Sequence, residues 1–583
     1  MRAVRAFVRA YPWQSALVLF SLVVSSLVEG LSLTALLPAL SAAIDREAGK
    51  TSGMGGFAVE LLHRVGIEPT IGSLLLVMVV GAIATSAIGL LARRQVGYTV
   101  AQVGTDLRME LLRALVNARW EYYLRQPVGK LMNAMAVEAS GAASAYLSAA
   151  TMVAAAIQAV AYAAVTFAVN WRATLVSLVV ATAIAGGLHQ LVRLARRAAK
   201  RQTKTMSRLM AGLVDSLVSV KPLKAMGRED LADGVLAAQT LDLNHTTRRQ
   251  VIAKEGRKAI QGLTFTIVMA GGAWAALEVW HLPMSMVMVL GLLLSRVLSN
   301  FGKVQEQYQE LVTLENYYWQ LRATLDEAGR ELEPRAGALA PKLEQAIRLD
   351  DVDFAYGQSL VIEGGVLEIP VGSFTSLVGS SGAGKTTLLD LIVGLVTPTR
   401  GAVRIDGVDL RDTDMHAWRR MIGYVPQENW LLHDTVARNV TLGDAALGAA
   451  DVEYALRAAG AWDFVATLPD GAATVVGERG ARFSGGQRQR IMIARALAHR
   501  PRLLILDEAT ASLDPATEAA LCETLAALRG EITILAISHQ RALVDTADRV
   551  YRVEKGRAEL EIDRPALREA EASLHRGAAR ATS

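Results

Sequence analysis

Nine residues, Gly379 to Thr387, read GSSGAGKTT. They follow an apolar, strand-like run, FTSLVG, and lead into a helix-like one, TLLDLIVGL. Glycines at this spacing let backbone N–H groups turn inward around anionic oxygens, and a helix starting there adds positive potential. Gly379, Ser380, Ser381, Gly382, Ala383, Gly384, Lys385, Thr386 and Thr387 are therefore candidate phosphate-binding residues. The pattern places Lys385 to reach the β- and γ-phosphates of a nucleotide and Thr386 to ligate Mg²⁺. Further on, LLILDE (503–508) is an apolar strand-like run ending in two carboxylates. Asp507 would stand at the metal, and Glu508 could polarise an attacking water. Between these runs lies RFSGGQRQR (482–490), polar and basic, ahead of a helix-like segment. Its glycines would expose N–H groups at another helix start, a second surface for phosphate. A chain with one phosphate loop and two such surfaces is most simply completed by a second chain.

These residues sit in the last third of an apolar chain. Hydrophobic residues make up 52% of 583, and mean hydropathy is +0.28, high for a soluble enzyme. Apolar runs at 12–42, 73–92, 139–171, 173–192, 259–277 and 279–295 are each about long enough to cross a bilayer. Asn170–Arg172 would turn the third run into the fourth, and 278–283 the fifth into the sixth. The longer connections, 93–138 and 193–258, hold seven and fifteen Lys or Arg residues, against three in 43–72. Positive charge marks the cytoplasmic side, so both termini are expected in the cytoplasm. The net charge of +5 then reflects topology rather than nucleic-acid binding. Amphipathic patterns in the long connections predict helices extending beyond the membrane, turning near 126–133 and 213–224. The single cysteine, Cys522, excludes an intramolecular disulfide and a CxxC redox or zinc site. The basic N-terminus, 1–11, reads as an interfacial helix, since the following apolar run outlasts a signal peptide.

With these features in order, the chain resembles ATP-binding cassette (ABC) exporters, specifically half-transporters with one membrane domain fused to one nucleotide-binding domain. The resemblance covers nearly the whole chain. It implies an all-α six-helix transmembrane domain (12–324), a linker (325–345), an α/β P-loop NTPase (ABC ATPase) domain (346–565) and a polar tail (566–583). It implies that Tyr356 of FAYG stacks on adenine, and that Gln427 of GYVPQE links the γ-phosphate and metal site to the membrane domain. Glu478 of VGERG resembles a segment that touches the cytoplasmic loops. Ser484, Gly485, Gly486 and Gln487 form the signature that closes over ATP held by the other subunit. Asp514 of ASLD lies in the dimer-spanning loop, and His539 of AISHQ is the switch histidine. Phe483 stands where leucine is commoner, with little loss expected, and Pro222 where an apolar residue is usual.

The resemblance implies an ATPase with ATP and Mg²⁺, working as a homodimer, with a heterodimer left open. A bacterial inner membrane and its lipids are the expected setting. The implied function is ATP-driven export or flipping of an amphipathic substrate by alternating access. A rival reading is an ATP-gated channel or membrane regulator on the same fold. That protein would not need turnover, and the presence of Glu508 and His539 weighs against it. An importer is disfavoured because spans and cassette share one chain. His189 and His281 read as span-end residues, not ligands. The chain opens at the interfacial helix, so no leader-peptide cleavage is expected. The Ala-, Ser- and Gly-rich span 139–171 holds Gln158, and the first span holds Glu29. A charge in a membrane should face protein or water, so Glu29 and Gln158 are candidate cargo contacts in a wide, nearly chargeless cavity.

Overall fold

The structure is a computed structural model. It describes residues 70–172, 220–333, 339–428, 430–509 and 515–566, with scattered positions elsewhere. The candidate residues Glu29 and Asp514, the N-terminal segment 1–11, His189 and most of the runs 12–42 and 173–192 lie outside the described residues. The chain divides into two compact units, Met1–Leu332 and Glu333–Ser583.

The first unit is helical. Its elements are α1 (Ile71–Val116), α2 (Trp120–Arg125), α3 (Val128–Asn133), α4 (Ala139–Val169), α5 (Val220–Ala225), α6 (Glu229–Trp274) and α7 (Met284–Arg330). Within a bilayer every backbone N–H and C=O must be satisfied inside its own segment, which favours long helices. Among the described residues four helical stretches are long and apolar enough to cross. They lie within 79–116, 128–169, 258–279 and 284–330, matching the second, third, fifth and sixth expected runs. At 1.5 Å per residue, the 46 residues of α1 and α6 and the 47 of α7 are each roughly 70 Å long, more than twice a hydrocarbon core of about 30 Å. The extension beyond the membrane expected from amphipathic patterning is thus present.

Two hairpin boundaries differ from the expectation. Only Asn170 is extended at the first; Trp171 and Arg172 already belong to the next helix. At the second, a wide turn at Ala275–Val279 prolongs α6, so the sixth run starts at Met284 rather than at 279. Pro283 sets that start, because its fixed φ suits the residue leading into a helix. The expected linker also begins late. Leu325 and Ala328 are buried in the last turns of α7, which runs through 325–330.

Helices α4 and α7 form the core of the unit. Ala139, Ala142, Ala145 and Ala149 are buried, as are Leu311, Leu321 and Leu325. Small side chains on α4 let the two backbones approach closely. The approach is tightest at Gly141, where an added Cβ would lie 2.5–2.8 Å from Tyr317, including its Cβ. Beyond the apolar stretch, Arg322–Glu110, Arg125–Glu331 and Lys130–Glu327 pairs at 2.8, 3.3 and 3.2 Å tie α1, α2 and α3 to the end of α7. All three are partly exposed, so each contributes under about 1 kcal/mol.

The second unit is α/β. A four-stranded antiparallel sheet runs β2-β1-β4-β5, from β1 (Ala346–Tyr356), β2 (Ser359–Pro370), β4 (Arg400–Ile405) and β5 (Val408–Asp409). A six-stranded sheet runs β10-β9-β3-β8-β7-β6. It comprises β3 (Phe374–Val378), β6 (Ile422–Val425), β7 (Leu503–Asp507), β8 (Thr533–Ile537), β9 (Arg549–Glu554) and β10 (Arg557–Asp563). β7 and β8 are buried at every residue, as continuous apolar runs in a covered parallel sheet should be. Helix α8 (Lys385–Val393) follows β3, and α9 (Gly485–Leu497) carries the SGGQ segment at its start.

Overpacking at the α4–α7 contact should destabilise the membrane unit. Gly141→Ala is expected to cost about 1–3 kcal/mol, because the Tyr317 Cβ is fixed to its helix and cannot swing away. Thermal unfolding of the detergent-solubilised chain should show a lowered midpoint, partly restored by Tyr317→Ala in the same chain.

Candidate functional site

Parallel pairing decides where the polar groups stand. Leu377 of β3 and Asp507 of β7 both pair with Ile537 of β8, so the three strands end level. The loop 379–384, the Asp507–Glu508 pair and Ser538–His539 therefore emerge along one edge. Carboxyl ends of strands in an open sheet are where such folds bind ligands.

The loop can follow its path only with glycine at its ends. Gly379 has φ +153°, and a Cβ there would fall 2.2 Å from the Val553 carbonyl oxygen. Gly384 caps α8 with φ +102°. Lys385 is 5% exposed, and its Nζ donates to the carbonyls of Gly379 and Ser380 at 2.7 and 2.9 Å. The ammonium is thus held inside the concave loop. Thr386 and Thr387 stand in the first turn of α8, where unpaired backbone N–H groups and the helix dipole favour an anion.

Opposite the loop, Glu508 has φ +47°, an uncommon conformation for a residue with a side chain. Its amide donates to the Ile537 carbonyl at 3.1 Å, which fixes the turn. The Gln427 amide donates to Glu508 Oε2 at 2.7 Å, and His539 Nε2 lies 3.8 Å from Glu508 Oε1. The structure therefore gathers Gln427, Glu508 and His539 into one polar cluster beside Asp507.

Two residues that motif reading missed complete the site. The Tyr424 hydroxyl donates to Asp507 Oδ2 at 3.0 Å. Asp390, one helical turn below Thr386, is half-buried on α8 and accepts from the Tyr356 hydroxyl at 3.5 Å. Burial, then the charge of Asp507, raises the Asp390 carboxyl to about 6. Burial also raises Asp507, partly offset by the Tyr424 hydrogen bond. Desolvation and the two nearby carboxylates push the Tyr424 phenol above its usual range. The i, i+4 spacing of Thr386 and Asp390 was a readable signal for the second; alternation along β6 was one for Tyr424.

The SGGQ segment stands apart from the loop within this chain. Ser484 caps α9 by accepting from the Gln487 amide, and Gln487 Oε1 accepts from the Ser484 amide at 3.0 Å. Gly485 and Gly486 lie in the first turn of α9. Among the described residues no hydrogen bond or ion pair joins Ser484–Gln487 to residues 379–387. Phe483 is buried edge-on against Phe464, with centroids 6.0 Å apart, so the larger ring has a place in the core.

Residues 363–511 match the model of the ABC transporter family, and residues 15–299 match that of the ABC transporter transmembrane region. The chain is 30% identical over 478 residues to an ATP-dependent lipid A-core flippase of Chromobacterium violaceum, covering 79% of this chain and 80% of the relative. The chain belongs to the ABC transporter family. It is 32% identical over 407 residues to the mycobactin import ATP-binding/permease protein IrtB of Mycobacterium bovis, covering 67% of this chain and 68% of that protein. The fold is that of a bacterial Atm1-family ABC exporter solved with ATP bound, at TM-score 0.77, 21% identity and coverage of 96% and 97%. This ABC transporter is a membrane protein, an ATPase, and binds ATP.

The membrane unit of the transporter holds a cavity of about 710 Å³ between α6 and α7. Lys258, Gln261, Arg296, Lys303 and Glu306 line it beside Phe265 and Leu292. Lys258, Arg296 and Lys303 lie at or beyond the ends of the apolar runs 259–277 and 279–295, and the pairing of α6 with α7 brings them to one cavity. Gln158 is half-buried on α4 and is not among the residues lining this cavity.

Asp390 supplies a pH test with a definite sign. Its native pKa of about 6 lies above the unfolded value, so the native state loses stability from this group as pH rises from 4 to 6. Above pH 6 the cost is constant. After allowance for partial exposure it is about 1 kcal/mol. In nucleotide-free protein at pH 7, Asp390→Asn should strengthen hydrogen-exchange protection of α8 about five-fold, and the gain should shrink toward pH 4.

Proposed function

We propose that the chain is an ATP-driven exporter or flippase for an amphipathic substrate, working as a homodimer in a bacterial inner membrane with both termini cytoplasmic. The observation that carries this is the single edge formed by the ends of β3, β7 and β8. There Lys385, Asp507, Glu508, Gln427 and His539 face one loop of glycine-directed N–H groups.

In this reading Gly379–Thr387 receive the phosphates. Lys385 exchanges its two loop carbonyls for phosphate oxygens, and Tyr356 stacks on the adenine. A Thr hydroxyl, a Gln amide oxygen and a carboxylate are the hard oxygen donors that Mg²⁺ prefers. The closeness of two carboxylates with raised pKa values, the half-buried Asp390 and the buried Asp507, also fits a cationic occupant. Thr386, Gln427 and Asp507 would hold the metal, which neutralises phosphate charge during transfer. Glu508 orients the attacking water, with Gln427 and His539 positioning its carboxylate. Ser484–Gln487 and Asp514 would complete the site on a second copy, since among the described residues Ser484–Gln487 have no polar link to their own loop. Closure of two such sites would shift the membrane unit through the segments 126–133 and 213–224. The flippase relative and the fusion of spans to cassette support outward movement. The import named for the mycobacterial relative makes direction a matter for measurement.

Glu508→Gln should bind ATP within about three-fold of wild type and lose hydrolysis by at least about 100-fold. Wild-type turnover in this variant would remove Glu508 from the role. The two-chain site has its own test. Dimers with Lys385→Ala in one copy and Ser484→Arg in the other should keep one intact site, whereas both changes in one copy should damage two. Equal nucleotide occupancy in the two mixtures would exclude the shared site. In proteoliposomes, ATP added on the cassette side should move a fluorescent amphipath away from that side.

A further inference from the structure

The nucleotide chemistry leaves a half-buried cation of the cassette unused: Arg495, in the last turn of α9. It makes no ion pair among the described residues. Burial lowers its pKa from the usual arginine range, and no carboxylate offsets that cost. An apolar side chain would fill the same space without it.

The guanidinium spends its N–H groups on one segment of chain. Nε donates to the Asn439 carbonyl at 2.8 Å, Nη2 to Asn439 Oδ1 at 2.9 Å and Nη1 to the Trp430 carbonyl at 3.1 Å. The remaining contact, Met492 Sδ at 3.3 Å, is also neutral. The cation lies 5.7 Å from the centroid of the Trp430 ring as well. Asn439, wholly buried in the short helix Val436–Thr441, extends the hold. Its Oδ1 accepts from the Leu432 amide at 2.8 Å, and its Nδ2 donates to the Leu432 and Thr435 carbonyls, both at 3.0 Å. A planar fork can bridge two carbonyls nine residues apart in sequence, which a single ammonium does not.

That segment begins at Gln427. β6 ends at Val425, and the Gln427 amide meets Glu508 Oε2 at 2.7 Å. After Gln427 the first hydrogen-bonded group among the described residues is the Trp430 carbonyl. Three residues separate the two, at most roughly 11 Å of chain. A shift of Trp430 therefore changes the positions open to the Gln427 amide. Arg495 itself stands about 16 Å along α9 from its Ser484 cap. Ile491, Met492, Ile493 and Ala494 are buried between them, so a packed helix joins the SGGQ segment to the guanidinium.

We infer that Arg495 is a positioning residue for ATP hydrolysis. By holding the Trp430 carbonyl beside Asn439 it sets where the Gln427 amide meets Glu508. It also ties that contact to the helix that begins with Ser484–Gln487. The inference rests on the reading that Glu508 orients the attacking water, and adds the group that fixes the partner of Glu508. A role in packing alone would act independently of Gln427, so a double-variant cycle separates the two.

The test is single-turnover ATP hydrolysis by the full-length chain in lipid nanodiscs, with ATP binding measured on the same samples. Arg495→Gln should bind ATP within about three-fold of wild type and hydrolyse it at least about ten-fold more slowly. In a Gln427→Ala background the same change should slow hydrolysis by less than about two-fold, because the group it positions is gone. Arg495→Lys keeps the charge but not the fork, so it should lose at least about three-fold, again only where Gln427 is present. It carries the test if Arg495→Gln binds no ATP and so has not folded. Wild-type hydrolysis in an ATP-binding Arg495 variant, or an equal loss with and without Gln427, overturns the inference. Wild-type turnover in Glu508→Gln would instead remove the reading beneath it; an inactive Glu508→Gln with equal losses in the cycle removes the role of Arg495 alone.

Discussion

Hydrogen bonding between short parallel strands fixes where every charged group of the nucleotide site can stand. β3, β7 and β8 are five residues each and almost wholly buried. A one-residue slip would turn each side chain to the other face. It would bury Glu508 and withdraw Asp507 from the edge. The apolar faces of these strands therefore specify the polar geometry, and the Ile537 carbonyl holds the Glu508 turn directly. Burial of Leu504, Ile505, Leu535 and Ile537 at 0–1% exposure holds the register.

Electrostatics at that edge is balanced between unlike needs. Lys385 is buried with two carbonyl partners, which satisfy its protons without neutralising its charge. Burial raises the proton affinity of both Asp507 and Asp390, and the charge of Asp507 raises Asp390 further, while Tyr424 and Tyr356 donate hydrogen bonds to them. A phosphate and a cation arriving together would relieve both sets of groups. A site so arranged favours the pair over either ion alone. The left-handed turn at Glu508 belongs to the same economy: strain of order 1 kcal/mol holds the carboxylate at the edge instead of along the strand.

How much of this was legible depended on whether a residue's neighbours in space are its neighbours in sequence. The loop 379–387, the strand ending at Asp507–Glu508 and the capped start of α9 are local, and their spacing alone conveyed their form. Tyr424 and Asp390 come from β6 and α8 and gather near Asp507 of β7; local spacing shows which face each occupies, but not that the three elements bring them together. Helix ends were misjudged where apolar composition ran past the geometric break, as at Val279, or where a polar stretch still had buried residues beneath it, as at Leu325 and Ala328.

The proposed two-chain site follows from the geometry of helix starts. The first N–H groups of an α-helix have no partner inside it. At α8 the glycine loop bends so that these groups and Lys385 converge on one point. At α9 Ser484 and Gln487 satisfy each other, which holds the first turn in shape and leaves Gly485 and Gly486 without side chains to obstruct an approaching phosphate. A nucleotide held between both would bind the closed pair more tightly than either open chain, and only such a difference in affinity can move a conformational equilibrium.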